Sequence, residues 1–440
     1  MAKLKTIYLC QNCGHTSSNW VGQCPSCGNW NSMVEDVIST SSSKKSSNVV
    51  KPRSSTQGLV KLSEVLSVPP KRLDTGIGEF DRVLGGGFVS GQVVLLAGEP
   101  GIGKSTILTE ISKNLGDKKV LYVCGEESVE QTKLRALRMG YTASNLLVFP
   151  ETNVDEIMAE IERDNDIALV IVDSIQTLYS NDLTGNVGSL VQVRGCSQLL
   201  TDTAKRTNTP VVLVGHVTKQ GVVAGPKVLE HIVDTVLYLE GDSQHLFRIL
   251  RTTKNRFGPV SEVGIFEMVE KGMREVKNPS ELFLEQRLSS SPGSCVTVVM
   301  EGFRPLLFEV QALTTKTSFG YPRRTASGFS SNRLQVLIAI LEKRAKINLS
   351  NHDVYVSVAG GFKVKEYAAD LAVCLAIASS IKDTPLKEGT VSFGECGLSG
   401  EVRKVTSSER RTQEAQRLGF SNVISPSNTK TLLQAINKAF

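Results

Sequence analysis

The 440-residue sequence has no long hydrophobic run, few aromatic residues and little excess charge. No window approaches the roughly 20 apolar residues that a membrane-spanning helix requires, so no membrane partner is expected. Residues 1–10 are too polar for a secretory signal, which predicts a cytoplasmic protein. A formal net charge of +6 permits a nucleic-acid partner but does not establish one. The length predicts two or three domains.

The nine cysteines fall into two groups. Cys10, Cys13, Cys24 and Cys27 form two C-x₂-C pairs, and a glycine follows each pair. Thiolates at this spacing suit a tetrahedral Zn²⁺ ion, and residues 1–38 contain too few apolar side chains to fold without one. A redox role for one pair and iron–sulfur ligation are the alternatives. The remaining cysteines lie mostly in apolar runs, which predicts small core residues and no disulfide framework.

The only tryptophans, Trp20 and Trp30, lie beside these cysteines. We expect them to cover the metal as a small core, because a short ribbon has little else to pack. An exposed aromatic contact for a partner is the alternative. Residues 39–60 are rich in serine and lysine and lack apolar periodicity, so they predict a flexible linker.

Residues 98–105 read GEPGIGKS and fit the phosphate-binding pattern G-x-x-x-x-G-K-[ST]. An apolar strand is predicted before this loop and a helix after it. Backbone N–H groups of such a loop surround phosphate oxygens, the lysine reaches the β- and γ-phosphates of ATP, and the serine hydroxyl ligates Mg²⁺. The predicted nucleotide contacts are Gly98, Glu99, Pro100, Gly101, Ile102, Gly103, Lys104, Ser105 and Thr106.

Three further apolar strands end in polar groups and alternate with helical patterns, which predicts a parallel sheet. These groups are Glu126 and Glu127, Asp173, and His216. Catalytic groups lie beyond the carboxyl ends of such strands. We therefore predict that Asp173 holds Mg²⁺ and that Glu126, or else Glu127, polarises the attacking water; either glutamate is alternatively a helix-start carboxylate. His216 senses the γ-phosphate or is a structural histidine.

Residues 254–258 read KNRFG and are predicted as a short loop after a strand at 246–251. Lys254 and Arg256 are candidates for stabilising charge on the γ-phosphate of a neighbouring subunit, with Lys104, Glu126 and Asp173 as the other catalytic residues. Gripping a DNA phosphate and a solvated basic turn are the alternatives.

The C-terminal residues 276–440 predict an α+β domain of paired strands and three helices. With the phosphate loop, the KNRFG run and the four cysteines, the chain resembles the bacterial RadA (Sms) family. That resemblance implies a zinc ribbon at 1–38, a RecA-like ATPase core at 61–275, and a C-terminal domain similar to the proteolytic domain of Lon.

The resemblance also implies a function. RadA proteins are DNA-dependent ATPases of homologous recombination, similar to hexameric replicative helicases, and they extend recombination intermediates by branch migration together with RecA. The implied partners are single-stranded and branched DNA, RecA, and further copies in a homohexamer. By analogy with RecA, loops 179–189 and 218–227, the latter with Lys219 and Lys227, contact single-stranded DNA. A RecA-fold signalling ATPase acting on proteins and an ATP-dependent protease are the alternatives.

On the Lon pattern the nucleophilic serine falls at Ala369 and the activating lysine near Glu409. Both chemical groups are absent, so we expect no peptidase activity. The domain is then expected to hold subunits together, with a set of cations available for duplex DNA or merely solvated. That set is Lys363, Lys365, Arg403, Lys404, Arg410 and Arg411.

Overall fold

The computed structural model of the chain describes residues 3–10, 16–40, 71–216, 226–241, 247–285, 287–288, 291–318 and 320–440. Contacts divide the chain into two compact units. The first contains Met1–Glu240, Ile249–Val260 and Met268–Arg274, and the second contains Gly241–Arg248, Ser261–Glu267 and Glu275–Phe440. Within these described ranges, no helix combines the length and the apolar character needed to cross a membrane.

The N-terminal segment is a three-stranded antiparallel sheet. Strand β1 (Lys3–Cys10) pairs with β2 (Thr16–Ser17) and, along its whole length, with β3 (Met33–Thr40). Because β3 continues to Thr40, the first two residues of the linker predicted at 39–60 belong to this sheet. The rest of that linker lies outside the described residues.

A nine-stranded sheet with helices between its strands follows. The elements from residue 72 to residue 275 are β4 (Arg72–Leu73), α1 (Gly78–Leu84), β5 (Phe88–Val89), β6 (Val93–Gly98), α2 (Lys104–Asn114), β7 (Lys119–Cys124), α3 (Val129–Arg138), β8 (Leu146–Phe149), α4 (Val154–Arg163), β9 (Ile167–Asp173), α5 (Leu190–Thr207), β10 (Val211–His216), α6 (Pro226–Leu229), β11 (Thr235–Gly241), β12 (Phe247–Asn255), β13 (Val263–Val269) and β14 (Gly272–Glu275). The strand order is β14-β13-β12-β11-β6-β10-β9-β7-β8.

The centre of this sheet is parallel, as predicted. Strand β6 pairs in parallel with β10 and β11, and β9 pairs in parallel with β10 and β7. These strands are almost continuous runs of Val, Ile and Leu because helices cover both of their faces. The register sets Gly98 opposite His216 and Cys124 opposite Asp173. The carboxyl ends of four strands therefore meet at one edge.

Two predicted loops differ from the structure. Strand β12 runs to Asn255, so Lys254 lies on a strand and not in the loop predicted after residue 251. Alternate residues of β12 are buried, and the Thr252 hydroxyl donates to the backbone oxygen of Val83, so polar residues continue the strand. In the loop predicted at 218–227, residues 218–225, including Lys219, lie outside the described part, and Lys227 lies on α6.

The second unit contains a six-stranded sheet of mixed direction. The elements from residue 279 onward are α7 (Pro279–Leu284), β15 (Ser294–Glu301), β16 (Arg304–Lys316), β17 (Arg324–Ser327), α8 (Ser331–Arg344), β18 (His352–Val358), α9 (Asp370–Lys382), β19 (Thr390–Ser392), β20 (Glu395–Cys396), β21 (Val402–Arg403), α10 (Ser408–Arg417), β22 (Asn422–Ile424) and α11 (Leu432–Ala439). The sheet order is β17-β18-β16-β15-β19-β22. Helix α9 is apolar on every side and buried for most of its length, and it packs on β16. The α+β class predicted for this region is confirmed.

Candidate active site

The phosphate loop joins β6 to α2. A Cβ added to Gly98, the last residue of β6, would lie 2.6 Å from the backbone oxygen of Leu239, so only glycine fits there. Gly103 has a φ of 113°, in the left-handed region that favours glycine, and it begins α2 without a side-chain cap. The first N–H groups of α2 therefore have no capping side chain, and together with the helix dipole they favour an anion.

Lys104 is buried at the start of α2. Its Nζ donates to the backbone oxygens of Gly98, at 2.9 Å, and of the following residue, at 3.0 Å, and lies 3.2 Å from Nδ1 of His216. Burial lowers the pKa of Lys104, and the charges of Asp173 and Glu126 oppose that shift. The amine thus already faces the two carboxylates that the sequence predicts beside it.

Glu126 lies just beyond β7 and contacts two neighbours. Its carboxylate accepts a hydrogen bond from the Ser174 hydroxyl, and Oε2 lies 3.1 Å from Nε2 of His216. His216 is the last residue of β10, and Ser174 directly follows β9. Three strand ends therefore contribute to one hydrogen-bonded row that runs from Lys104 through the imidazole to Glu126.

Glu127 belongs to a different network. Its carboxylate lies 2.5 Å from Nη1 of Arg135 on α3. The Arg135 guanidinium also donates to the hydroxyl oxygens of Tyr122, at 3.2 Å, and Thr109, at 3.1 Å. Of the two glutamates, Glu126 is therefore the one that joins the row leading to the phosphate loop.

Asp173, the last residue of β9, is buried beside this row. Its Oδ2 accepts a hydrogen bond of 2.6 Å from the Tyr122 hydroxyl. Ser105 is the second residue of α2, immediately after Lys104. A carboxylate and a hydroxyl are oxygen ligands of the kind that Mg²⁺ takes beside a nucleotide, so the residues predicted to hold the ion suit it.

Lys254 and Arg256 lie in a second cluster. Lys254 Nζ donates to the backbone oxygens of Glu230 and, at 2.8 Å, of Val233. Arg256 Nη1 lies 3.0 Å from Oδ1 of Asp234, a buried carboxylate. Both cations therefore hold the segment that follows α6 within their own subunit, and burial lowers the pKa of Lys254.

Asn255 connects the chain segments that surround this second cluster. Its Oδ1 accepts from the Thr235 hydroxyl and from the Phe257 N–H, and its Nδ2 donates to the backbone oxygen of Leu84, at 3.0 Å. The amide of asparagine suits this position because its oxygen accepts two hydrogen bonds while its nitrogen donates a third. The cations of KNRFG were predicted from the sequence as functional residues, whereas Asn255 and Asp234 were not. The asparagine between two cations was the only local signal.

Three further residues of the candidate active site, Ser174, Tyr122 and Arg135, were not predicted from the sequence. Ser174 follows Asp173 directly, so a hydroxyl beside a strand-end carboxylate was a usable signal. Tyr122 lies inside an apolar strand, and Arg135 lies among other cations of α3, so neither is distinguished by its sequence context. Their role is visible only from the side chains that they contact.

Three of the four predicted metal ligands converge in the N-terminal ribbon. The Sγ atoms of Cys10, Cys24 and Cys27 lie within 4.8 Å of one another. Cys13 lies outside the described residues. A cluster of thiolates at this spacing fits Zn²⁺, which would supply the folding energy that so small a core lacks.

The two tryptophans do not cover this cluster, so that expectation was wrong. Trp20 and Trp30 are 58% and 72% exposed. The ribbon core consists instead of the buried Cys10, Cys24 and Met33, with Tyr8 and Val21 packed against them. The physical reason is that Met33 and these two partly buried side chains already fill the space beside the cysteines, and the indoles lie outside it.

The positions that correspond to the Lon serine and lysine carry no such chemistry. Ala369 is fully buried, and Glu409 is exposed on α10. Arg411 is also fully buried, so the expectation that it is available to DNA was wrong. Its guanidinium pairs with Glu366 and donates to the backbone oxygen of Val298, which fixes it inside the second unit.

Family models match three parts of the chain. Residues 60–222 match the AAA domain, residues 8–35 match the rubredoxin metal binding domain, and residues 320–429 match subunit ChlI of Mg-chelatase. The first match contains the phosphate loop, and the second contains the cysteine cluster. The chain therefore has an ATPase core that takes ATP and a metal-binding ribbon.

Full-length relatives decide the family. A DNA repair protein RadA of Bacillus subtilis is 50% identical over 431 residues, which cover 97% of this chain and 93% of that one. The RadA protein of Listeria monocytogenes is 47% identical, with 98% and 93% covered. This chain belongs to the RadA family. The RadA protein of Streptococcus pyogenes serotype M6 is 49% identical over 433 residues, which cover 97% of this chain and 94% of that one.

Two solved structures resemble the chain more distantly. A crystal structure of the RadB recombinase covers 47% of this chain with 26% identity and a TM-score of 0.37. A KaiC-like protein from Pyrococcus horikoshii covers 47% with 21% identity and a TM-score of 0.39. The assignment to the RadA family rests on the full-length relatives and the family models.

Proposed function

We propose that this RadA-family chain is a DNA-dependent ATPase of homologous recombination and DNA repair. In this proposal it works with RecA as a homohexameric, helicase-like motor that drives branch migration on single-stranded and branched DNA. The observation that carries the proposal is the row of Lys104, His216 and Glu126 beside Asp173, directly after a phosphate loop. The names of the relatives, DNA repair proteins, support the choice of DNA repair.

The roles follow from the positions of the side chains. The loop N–H groups bind phosphate oxygens, and the Lys104 amine exchanges its two carbonyl contacts for β- and γ-phosphate oxygens. Ser105 and Asp173 would hold Mg²⁺, whose charge would offset that of the triphosphate. Glu126, held by Ser174, accepts a proton from the attacking water.

His216 connects this chemistry to the rest of the core. It touches Lys104 with one ring nitrogen and Glu126 with the other. A γ-phosphate that draws Lys104 away would remove one of these contacts, and the residues after His216 lead into the 218–227 segment. We propose that this segment and the polar loop at 179–189 hold single-stranded DNA by its backbone, because neither segment carries aromatic side chains for base stacking apart from Tyr179.

Arg256 is the better candidate for action across a subunit boundary. Its side chain stays 52% exposed although it pairs with Asp234. Lys254, by contrast, is committed to two backbone oxygens of its own subunit. We propose that Arg256 stabilises charge on the neighbour's γ-phosphate, while Lys254 holds the segment after α6 in place.

ATP turnover with and without single-stranded DNA tests the proposed function. We expect DNA to stimulate wild-type turnover, and Lys104→Ala to lower it by roughly 100-fold or more because a positioned cation on the phosphate is lost. Lys113→Ala is the matched control, since Lys113 lies on the same helix and its ammonium contacts Glu110 and the backbone oxygen of Met139, neither of which belongs to the phosphate loop. Absence of both DNA stimulation and DNA binding at low salt would reject the motor on DNA.

Mixing two variants tests the ring and the action in trans. Lys104→Ala and Arg256→Ala are each expected to be inactive alone. In a mixed ring, some interfaces combine an intact phosphate loop with an intact Arg256, so turnover should partly return. A mass measurement with nucleotide should find a hexamer; a monomer, or no regained turnover, would contradict this part of the proposal.

A further inference from the structure

We propose that Tyr122 is a positioning residue for the Asp173 carboxylate, and that Arg135 in turn holds Tyr122. This inference rests on the proposed ATPase function and names residues of the same site that no motif contains. Tyr122 does not touch the reacting atoms. It acts through Asp173 by fixing which carboxylate oxygen is available to a cation.

The side chains of Tyr122 and Asp173 are in direct contact. Tyr122 is buried on β7, and its hydroxyl donates a 2.6 Å hydrogen bond to Oδ2 of Asp173 on the adjacent β9. A carboxylate oxygen only accepts, so the tyrosine hydroxyl supplies the proton of this hydrogen bond. A buried hydrogen bond to a charged acceptor is among the stronger ones in proteins.

The directions of the hydrogen bonds determine where the Tyr122 proton points. A guanidinium can only donate, so the 3.2 Å contact between Arg135 Nη2 and the Tyr122 hydroxyl makes the tyrosine oxygen an acceptor. The single proton of that hydroxyl is then directed at Asp173. Arg135 is itself fixed by Glu127, at 2.5 Å, and by the Thr109 hydroxyl, at 3.1 Å.

The same hydrogen-bond network reaches Ser105, the other predicted metal ligand. The Thr109 hydroxyl donates to the backbone oxygen of Ser105, at 2.7 Å. Arg135 therefore links the helical turn that carries Ser105 to the strand end that carries Asp173. Oδ1 of Asp173 accepts no hydrogen bond from the residues that the structure describes, so this oxygen remains free for a cation. Partners that orient a metal ligand in this way commonly change metal affinity by about 10- to 100-fold.

The test is the Mg²⁺ concentration needed for binding of a slowly hydrolysed fluorescent ATP analogue. We expect Tyr122→Phe to raise this concentration about 10-fold, while binding of the analogue without Mg²⁺ stays unchanged. Tyr141→Phe is the matched control, since Tyr141 is also buried and donates a 2.6 Å hydrogen bond, to Asn145. It should change the Mg²⁺ requirement less than about two-fold and lower thermal stability to a comparable extent.

Arg135→Lys tests the same inference without changing the buried tyrosine. It should raise the Mg²⁺ requirement in the same direction and by a smaller factor, with the exposed Arg138→Lys as control. The double variant with Tyr122→Phe should need less Mg²⁺ than the product of the two single effects predicts, because part of the effect of Arg135 passes through the hydroxyl. If Tyr122→Phe does not fold, Arg135→Lys decides the question.

Each outcome has a definite meaning. An Mg²⁺ requirement of Tyr122→Phe equal to that of wild type or of Tyr141→Phe would overturn the inference and leave the proposed ATPase function standing. An unchanged requirement in Arg135→Lys would overturn the part assigned to Arg135. A wild-type protein that binds no nucleotide at any Mg²⁺ concentration would overturn the proposed function and this inference with it.

Discussion

The Nδ1 atom of His216 lies 3.2 Å from the Nζ atom of Lys104. An ammonium group has no acceptor, so Nδ1 must accept this hydrogen bond, and the imidazole proton resides on Nε2. Nε2 is 3.1 Å from Oε2 of Glu126 and therefore donates to it. The imidazole thus joins the phosphate-loop lysine to the carboxylate proposed to activate water.

Replacing His216 should uncouple these two groups. We expect His216→Ala to lower ATP turnover by about 10- to 100-fold, the factor that corresponds to losing a charge-assisted hydrogen bond. His216→Gln places an amide near the former Nε2 and should retain more turnover than alanine. The control is the exposed His231→Ala. Equal turnover in His216→Ala and His231→Ala, measured at saturating ATP, would show that the histidine is only structural.

Replacing the two adjacent glutamates should affect ATP turnover to different extents. Glu126→Gln is expected to lower turnover by roughly 100-fold or more while ATP binding persists, because a positioned general base contributes at least that factor. Glu127→Gln should lower turnover much less, since the amide oxygen still accepts from Arg135. Single-turnover hydrolysis and equilibrium ATP binding separate the two effects. A greater loss in Glu127→Gln would transfer the role to that residue.

The position of the phosphate loop and the acidic strand ends could be predicted from the sequence because their signals are local. A buried strand must be a continuous apolar run, and Asp173 directly after Val172, or Glu126 two residues after Cys124, marks where the run stops. Parallel strands end at a common edge, so Glu126 and Asp173 had to lie near Lys104. The same reasoning predicted the end of β12 too early, at residue 251. Threonine and lysine residues continue that strand to Asn255, so no change in polarity marks where it ends.

The partners of these side chains could not be predicted. Tyr122 looks like one more core residue of an apolar strand, and only the three-dimensional register brings its hydroxyl to Asp173. The exposure of Trp20 and Trp30 was likewise hidden, since composition does not tell which of the few apolar side chains fill a small ribbon. Side-chain pairing across elements is a tertiary property, and sequence spacing carries little information about it.

Removing one ribbon thiolate should remove the metal. We expect Cys24→Ser to lose the bound zinc, about one ion per chain in the wild type, because a tetrahedral site needs all its ligands. Cys196→Ser is the control, since burial raises the pKa of that core thiol to about 12 and keeps it out of metal chemistry. The number of zinc ions bound per chain, measured by elemental analysis, tests this prediction.

Tryptophan fluorescence gives a second readout of the ribbon. Both tryptophans of the chain lie in this segment, so their emission reports on it alone. A chelator should change the emission of the wild type and leave that of Cys24→Ser unaffected. Unchanged metal content in Cys24→Ser, or unchanged emission of the wild type after chelation, would contradict a structural metal site.

A carboxyl pair formed by Asp74, before α1, and Asp81, on α1, should make the stability of the protein depend on pH. Burial, reinforced by the neighbouring Asp74, raises the pKa of Asp81 to about 6. The folded state then binds more protons than the unfolded state between the usual value of 3.8 and about 6, so the free energy of unfolding falls as pH rises through this window. Asp81→Asn stays neutral and avoids that loss. It should raise the Tm at pH 7.5 by ~2–4 °C relative to wild type, and by less at pH 4.

The direction of the pKa shift decides whether Asp81→Asn changes the Tm more favourably at pH 7.5 or at pH 4. Two backbone contacts from Thr75, at 3.1 and 3.2 Å, favour the charged form of Asp81 and partly offset its burial. If those contacts prevailed, the pKa would be lowered, and Asp81→Asn would destabilise the protein more at pH 7.5 than at pH 4. Thermal unfolding of both variants at the two pH values distinguishes these cases, with the exposed Asp117→Asn as control. A difference in Tm that shrinks or reverses at pH 7.5 would contradict the raised pKa.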